Sequence, residues 1–133
     1  WISNGDLNGD GRLDLVVATN VSGSVSILFG NSNETLFTVS NIYAGGFPVF
    51  LTLAKIDTDN NIDIIVADYN NIVSVLSNNG DGTFSLPHHF SVGSTPQLKG
   101  VVSGDFDGNG TNDIAVANYG SDAISVLLGI VGN

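Results

Sequence analysis

Cysteine and methionine are absent from this chain of 133 residues, and Lys and Arg together number three. The absence of cysteine excludes disulfides, thiolate zinc sites and cysteine nucleophiles. Thirteen acidic residues bring the formal charge to −10, which argues against nucleic acid as a partner and against attraction to an anionic membrane surface. Apolar runs of the roughly 20 residues that a membrane span needs are also missing, so we expect no membrane insertion.

Glutamate is nearly absent as well, because Glu34 is the only one and the other 12 acidic residues are Asp. This preference for the shorter carboxylate indicates tight loops that need an oxygen close to the backbone. Seventeen glycines, with few Lys, Glu or Arg, argue against long helices. Short Val, Ile and Leu runs between Gly, Asn and Asp clusters predict an all-β protein with frequent turns.

An internal repeat dominates the sequence. An acidic segment of nine residues occurs three times, and each copy is followed at once by a short apolar run. Its last Asp recurs in steps of 49 and 50 residues, and a serine-containing apolar string recurs in phase with it. The acidic segments are residues 6–14, 55–63 and 105–113, the apolar runs are 15–18, 64–67 and 114–117, and the serine-containing strings are 25–28, 73–76 and 124–127.

One repeat unit is predicted to form four short strands, with the acidic segment between the first strand and the second. Four strands in 49–50 residues is the size of a β-propeller blade. The second strand is apolar on both faces, which is typical of a sheet covered on both sides. Serine alternates along the third strand and predicts one less buried face there.

The chain holds about 2.7 such units, whereas a ring needs roughly 4 to 8 blades. We therefore predict a β-propeller fragment of four-stranded antiparallel blades that forms an incomplete ring. The chain opens at Trp1 without a charged-then-apolar leader, so we expect an excised or processed fragment. Because two blade faces would stay uncovered, we expect the piece alone to oligomerise, to aggregate or to be marginally stable. The predicted blades are residues 1–46 with a truncated first strand, 47–96, and 97–133 without a last strand.

The acidic segments offer oxygen at alternate positions, which is what a hard cation requires. Calcium takes 6 to 8 oxygen ligands, partly from backbone carbonyls, and a glycine at position 6 (Gly11, Gly110) supplies the sharp turn that lets a loop wrap one ion. Position 7, held by Arg12 and Thr111, is predicted to contribute its carbonyl. The side-chain candidates at positions 1, 3, 5 and 9 are Asp6, Asn8, Asp10 and Asp14 in the first copy, and Asp105, Asp107, Asn109 and Asp113 in the third.

Charge repulsion supports the same interpretation. Carboxylates a few ångströms apart repel by about 1–4 kcal/mol per close pair in the absence of a compensating charge. Two calcium ions would change the formal charge from −10 to −6. An EF-hand is excluded because it needs Glu at position 12 and flanking helices, whereas position 12 is Val17 or Val116 within a β-rich run.

The middle copy departs from this pattern. Position 1 is Lys55, which cannot ligate a cation, and position 6 is Asn60, which can still adopt the left-handed conformation. We therefore expect two calcium sites and regard a third as doubtful; the alternative for the middle copy is that its carboxylates pair with Lys55. A turn capped by its own Asp and Asn side chains is the alternative explanation for each copy. The candidate ligands of the middle copy are Asp57, Asp59 and Asp63.

The chain resembles the FG-GAP/VCBS-type repeats of calcium-binding β-propellers, which occur in integrin α-chain heads and in many secreted or surface proteins. The resemblance rests on residues 5–18 and on residues 79–84, and the VCBS-like variant fits better than the integrin one. It implies calcium in the loop between the first two strands, an extracellular or cell-surface location, and a non-catalytic scaffold for adhesion or ligand recognition. The partners it implies are a protein or glycan ligand and the remaining blades of a parent protein.

Other residues are open to a second interpretation. Tyr43, Tyr69 and Tyr119 either line a carbohydrate site or pack within the repeat, so the alternative function is a propeller module of a carbohydrate-active protein, either a lectin or a polysaccharide lyase. A weaker third hypothesis is a structural spacer in a surface protein. His88 and His89 are predicted to lie on an exposed outer strand or loop, and Asp68 and Asp122 are predicted to support turns.

Overall fold

The computed structural model describes residues 1–33, 36–94 and 97–129, with the backbone alone for residues 36–39. The predicted boundary at Pro96 and the predicted end at residues 130–133 lie outside the described residues. The described chain is all-β, as predicted, and forms three antiparallel sheets that do not close into a ring. Its strands are, in sheet 1, β1 (Ile2–Gly5), β2 (Asp14–Thr19), β3 (Ser24–Gly30) and β4 (Leu36–Tyr43); in sheet 2, β5 (Pro48–Ala54), β6 (Asp63–Asp68), β7 (Ile72–Leu76) and β8 (His88–Ser91); and in sheet 3, β9 (Leu98–Gly104), β10 (Asp113–Asn118) and β11 (Ala123–Leu127).

Each sheet is a meander in which strands adjacent in sequence are adjacent in space. The first strands of neighbouring sheets lie together, since β5 contacts both β1 and β9. This arrangement is the one that places successive blades of a propeller side by side around an axis. The fold is therefore a propeller-like fragment, and the described residues contain no helix with the length and apolarity that a membrane crossing requires.

Sheet 2 is packed between the other two sheets, and alternate residues of β6 serve the two interfaces. Ile64 and Val66 join the core shared with sheet 1. Ile65 and Ala67 join the core shared with sheet 3. Every residue of β6 is buried, which confirms for sheet 2 the prediction of a second strand covered on both faces. In β2 and β10 alternate residues are partly exposed, so the prediction does not hold for sheets 1 and 3.

The serines of the third strand were predicted to mark a less buried face, and in sheet 2 this is wrong. Ser74 is fully buried. Its hydroxyl donates to the Ala44 carbonyl of sheet 1 at 2.6 Å and lies 2.8 Å from Nδ1 of His89. Ser125 repeats the contact, because its hydroxyl donates to the Val92 carbonyl of sheet 2 at 3.3 Å. The serines at these two positions therefore join neighbouring sheets, and hydrogen bonding offsets the cost of their burial.

The turn between the second and third strands has the same backbone conformation in every unit. Gly23, Asn71 and Asp122 all have positive φ, at 65°, 65° and 49°. Glycine, Asn and Asp are the residues that tolerate this conformation, so the predicted turn role of Asp122 is confirmed. Asp68 also supports its turn, because its carboxylate accepts the backbone N–H groups of Phe47 and Asn70.

Candidate metal centre

The three acidic segments form loops at one end of the sheets, each between the first and second strand of its sheet. We call residues 6–14 loop 1, residues 55–63 loop 2 and residues 105–113 loop 3. Neighbouring loops share clefts, since residues of loops 1 and 2 line one cleft and residues of loops 2 and 3 line another. The repeat thus gathers all the predicted ligands at one edge of the molecule.

The Asp at position 9 is buried in each loop and connects the loop to its sheet. Asp14, Asp63 and Asp113 have no exposed surface. One carboxylate oxygen accepts the N–H of the residue at position 2, and the other accepts an N–H at or just after the end of the third strand. The donors are Leu7 and Gly30 at 2.8 Å each for Asp14, Ile56 and Asn78 at 2.9 Å each for Asp63, and Phe106 at 2.8 Å and Gly129 at 2.7 Å for Asp113.

Burial and hydrogen bonding act in opposite directions on the carboxyl group of Asp63. Desolvation raises the pKa of Asp63, and the N–H bonds from Asn78 and Ile56 oppose that rise. In all three loops, two N–H donors satisfy the carboxyl oxygens that burial removes from water. Position 9 is therefore a structural residue in all three loops, whether or not it also ligates an ion.

The Asp at position 1 organises loops 1 and 3 from within. In loop 3, Asp105 accepts the N–H groups of Gly108 at 2.7 Å, Asn109 at 3.0 Å and Gly110 at 2.9 Å. The hydrogen bond from the Gly110 N–H is the main reason why the pKa of Asp105 lies below its usual value. Gly110 has a φ of 87°, a left-handed conformation that a side chain would strain. Asp6 accepts the matching set from Gly9 at 2.8 Å, Asp10 at 3.2 Å and Gly11 at 2.8 Å.

Loop 3 brings three carboxylates together. Among the residues that the structure describes, Asp105, Asp107 and Asp113 offer oxygen atoms that all lie within 4.8 Å of one another. Oxygens bound to one calcium at about 2.3–2.6 Å can be no more than about 5 Å apart. Each carboxylate oxygen carries more than one lone pair, so an oxygen that accepts an N–H can still face a cation. The donor set and its spacing therefore fit calcium.

Loop 1 has the same backbone hydrogen bonds with a different third position. Asn8 replaces the carboxylate of Asp107, so positions 1, 3 and 9 of loop 1 supply two carboxylates and one carboxamide. The Asn8 amide oxygen accepts the Asp10 N–H at 3.1 Å. Both carboxylates and carboxamides are hard oxygen donors, which keeps this loop a candidate for the same ion.

The fifth position caps the seventh in loops 1 and 3. Asp10 accepts the backbone N–H of Arg12 at 2.8 Å. Its second oxygen lies 3.6 Å from the Arg12 guanidinium, in the only ion pair among the described residues. Asn109 accepts the backbone N–H of Thr111 at 2.7 Å. The backbone N–H groups at position 7 are thus bonded to side chains of their own loops, and the carbonyls of Arg12 and Thr111 stay candidate ligands.

Loop 2 shows a different partner for Lys55 from the one that the sequence alternative named. Pairing with the carboxylates of the same loop was that alternative, but the Lys55 Nζ donates to Oδ1 of Asn60 at 2.6 Å. The reason lies in the geometry of the loop. The carboxylate of Asp57 accepts the N–H of Asp59 at 3.0 Å, and the side chain of Lys55 faces that of Asn60. Asn60 has a φ of 70°, so the prediction of a left-handed Asn is confirmed.

The remaining Asp of loop 2 is also part of a turn. Asp59 accepts the backbone N–H of Asn61 at 2.8 Å and its side-chain amide at 2.9 Å. The backbone bond is the largest cause that lowers the pKa of Asp59. Loop 2 is therefore held together by its own side chains, with a lysine where loops 1 and 3 have Asp.

Sequence reasoning missed side-chain carboxamides that tie one repeat unit to the next. Asn78 is buried, and its Nδ2 donates to the Leu7 carbonyl of loop 1 at 2.8 Å. Asn112 of loop 3 donates to the Lys55 carbonyl of loop 2 at 2.9 Å. Asn78 left no repeat signal, because its counterparts at the end of the third strand are Gly30 and Gly129. The serines of the third strand did leave one, since Ser26, Ser74 and Ser125 recur in phase.

The other candidate residues lie outside the loops. His88 and His89 are exposed on β8, as predicted. Tyr43, Tyr69 and Tyr119 lie at the opposite end of the sheets, with 63%, 37% and 65% of their surface exposed. The backbones at that end are linked from sheet to sheet, because Gln97 donates to the Tyr69 carbonyl and accepts the Tyr119 N–H.

Successive antiparallel sheets packed face to face, each with an oxygen-rich loop between its first two strands, define a propeller-type repeat module. A sequence model described as an FG-GAP-like repeat matches residues 6–66 and again residues 55–116. The chain therefore belongs to the FG-GAP-like repeat family. The match does not distinguish the VCBS-like variant from the integrin-like one, and a search of curated proteins finds no match.

Proposed function

We propose that this repeat module binds calcium in loops 1 and 3 and serves as a non-catalytic scaffold for adhesion or ligand recognition. The observation that carries the proposal is the cluster formed by Asp105, Asp107 and Asp113, whose oxygen atoms lie within 4.8 Å of one another. Loop 1 supports it with the same positions and the same backbone hydrogen bonds. Loop 2, with Lys55 at position 1, is proposed to lack a resident ion.

The role proposed for calcium is structural. Asp113 contacts the loop with one oxygen and the end of β11 with the other, so an ion held by the loop is also attached to the sheet. An ion that binds only the folded chain stabilises it, by about 2.7 kcal/mol at a concentration 100 times Kd. It would also relieve the repulsion among acidic side chains in a chain of formal charge −10.

A location outside the cell follows from the same proposal. Extracellular calcium modules bind with Kd values of about 10⁻⁴–10⁻³ M, which suits the ion concentration found there. We propose an extracellular or cell-surface protein, in which this module packs against further blades and presents a surface to a protein or glycan ligand.

A carbohydrate-binding role is the second candidate, and one observation favours it. Three aromatic side chains at the end opposite the loops are at least half exposed, since Tyr43 is 63%, Phe47 50% and Tyr119 65% exposed. Exposed aromatic faces are surfaces on which a ligand can stack. A glycan array that gives no hit with the calcium-loaded chain would count against this candidate.

The calcium proposal is tested by thermal unfolding in millimolar calcium and in chelator. We expect a higher Tm in calcium, because the ion binds the folded state alone. The matched control is the Asp105→Asn, Asp107→Asn double variant, which keeps the size of both side chains and removes two charges. We expect it to retain at most the loop 1 part of the calcium shift. An equal Tm in calcium and chelator for the natural chain contradicts a structural ion.

A further inference from the structure

The buried hydroxyl of Ser74 has two polar neighbours and a single proton. Its Oγ lies 2.6 Å from the Ala44 carbonyl oxygen and 2.8 Å from Nδ1 of His89. A hydroxyl donates one hydrogen bond and can accept others, whereas a carbonyl oxygen only accepts. The Ser74 proton therefore points to Ala44, and a hydrogen bond with His89 forms only when Nδ1 carries a proton.

Burial makes the other proton arrangements costly. Ser74 and Ala44 have no exposed surface, so water does not replace a missing partner at either residue. An Nδ1 without a proton would set its lone pair against the Ser74 oxygen at 2.8 Å, which is a repulsive contact. A hydroxyl turned toward His89 would instead deprive the Ala44 carbonyl of this donor.

The serine of sheet 3 is held in the same way by a different side chain. The Ser125 hydroxyl donates to the Val92 carbonyl of sheet 2. Behind it, Nδ2 of Asn118 donates to the Ser125 oxygen at 2.7 Å, and an amide nitrogen can only donate. In both places, a serine that bonds the neighbouring sheet lies against a side-chain nitrogen of its own sheet.

In sheet 1 the same register position has the opposite direction of bonding. Ser26 is paired with Asn41 across β3 and β4, as Ser74 is paired with His89 across β7 and β8. The Ser26 hydroxyl donates to Oδ1 of Asn41 at 2.6 Å, so its proton stays within the sheet. The residue opposite the serine is an acceptor in sheet 1, whereas the Ser74 geometry requires a donor in sheet 2.

We propose that His89 is the positioning residue of this inter-sheet bond. Its ring carries a proton on Nδ1, in the Nδ1–H tautomer when the ring is neutral, and donates it to Ser74. This bond directs the Ser74 proton to Ala44 of sheet 1. A neutral imidazole has one donor and one acceptor nitrogen, and the bond that one nitrogen makes sets the tautomer, so Nε2 is the acceptor of this ring. An imidazolium keeps the proton on Nδ1, and the contact persists in that form.

Nitrogen-15 NMR of the histidine rings reads the tautomer directly. At a pH about two units above the ordinary histidine pKa of about 6.5, we expect Nδ1 of His89 at the frequency of a protonated ring nitrogen. His89→Phe assigns the signals, because the chain has two histidines. In Ser74→Ala the preference for Nδ1–H should weaken. An unprotonated Nδ1 in the natural chain, or an unchanged preference in Ser74→Ala, overturns the proposal.

Two substitutions of His89 separate its donor from its bulk. His89→Asn keeps an N–H donor beside Ser74, whereas His89→Phe keeps a ring without nitrogen. Phe is the better strand former, yet we expect the higher urea midpoint for His89→Asn. In the Ser74→Ala background, which has no hydroxyl to direct, the Asn variant should lose this advantage. The same midpoint difference in both backgrounds overturns the proposal. Both tests are read in chelator, so their outcome is independent of whether the loops bind calcium.

Discussion

The carboxamide of Asn78 donates to the carbonyl of Leu7 at 2.8 Å, across 71 positions of sequence. The same Nδ2 also donates to the Ile62 carbonyl at 3.0 Å. Asn78 belongs to sheet 2, whereas Leu7 is the second residue of loop 1 in sheet 1. One buried side chain thus joins a candidate calcium loop to the neighbouring sheet, and the conformation of that loop is coupled to the packing of the two sheets.

Replacement of Asn78 by alanine should lower the free energy of unfolding and weaken loop 1. The change leaves the buried Leu7 carbonyl and the half-buried Ile62 carbonyl without this donor, at a cost of about 1–3 kcal/mol for each group that stays unsatisfied. Urea unfolding in chelator measures the loss. Asn79→Ala is the matched control, because Asn79 is exposed and bonds only Thr83. Equal stability of the two variants would contradict the role assigned to Asn78.

Replacement of Ser74 by alanine should cost more stability than replacement of Ser26, because only the Ser74 hydroxyl bonds a neighbouring sheet. The Ser74 hydroxyl is buried between sheets and donates to the Ala44 carbonyl, so its loss should cost about 1–3 kcal/mol. Ser26 occupies the same position in sheet 1, but its hydroxyl bonds the exposed side chain of Asn41. Ser26→Ala should therefore change the urea midpoint little, and a loss as large as that of Ser74→Ala would refute the inter-sheet role.

Replacement of Asp113 should lower the stability of the fold itself, whereas replacement of Asp107 should lower only the stability that calcium adds. Asp113→Ala deprives the N–H groups of Phe106 and Gly129 of their acceptor, so we expect a loss of about 2–4 kcal/mol even in chelator. Asp107 is exposed and accepts within the loop, so Asp107→Ala should change stability little in chelator. It should lose only the part of the calcium-dependent stability that comes from loop 3. If both variants are equally destabilised in chelator, position 9 has no special structural role.

Lys55→Asp should create a third calcium site. The substitution restores the acid that loops 1 and 3 carry at position 1, and it removes the ammonium that now bonds Asn60. Asp57 and Asp63 already hold positions 3 and 9. Calcium titration calorimetry should show one more ion per chain than in the natural sequence. Lys55→Ala is the control that removes the ammonium without adding a ligand, and a third ion bound by this control would show that the aspartate is not needed.

The sequence predicted the sheets better than it predicted the contacts between them. Strand positions followed from the repeat, since its period and its apolar runs locate the second strand and the third strand of each sheet. The burial of Ser74 was missed because the alternation of Ser with Val is the same in two cases. The serine face can be exposed to water, or it can be buried with a hydrogen-bond partner for the hydroxyl. The partner is Ala44, and its position depends on how two sheets pack, which strand periodicity does not encode.

The candidate site shows the same division. Oxygen donors at fixed spacing predicted which residues gather in loop 3, and the carboxylates of Asp105, Asp107 and Asp113 do lie together. The bond between Lys55 and Asn60 was not predicted, because charge alone favours a carboxylate partner. The backbone of the loop decides instead, since it places position 1 against position 6.

Equilibrium dialysis against calcium tests the central claim most directly. The account predicts saturable binding of about two ions per chain in the concentration range of 10⁻⁴–10⁻³ M, one lost in Asp105→Asn, Asp107→Asn and the other in Asp6→Asn. Dialysis that leaves the natural chain without bound calcium at millimolar concentration would contradict it, and the acidic loops would then be turns that their own side chains cap.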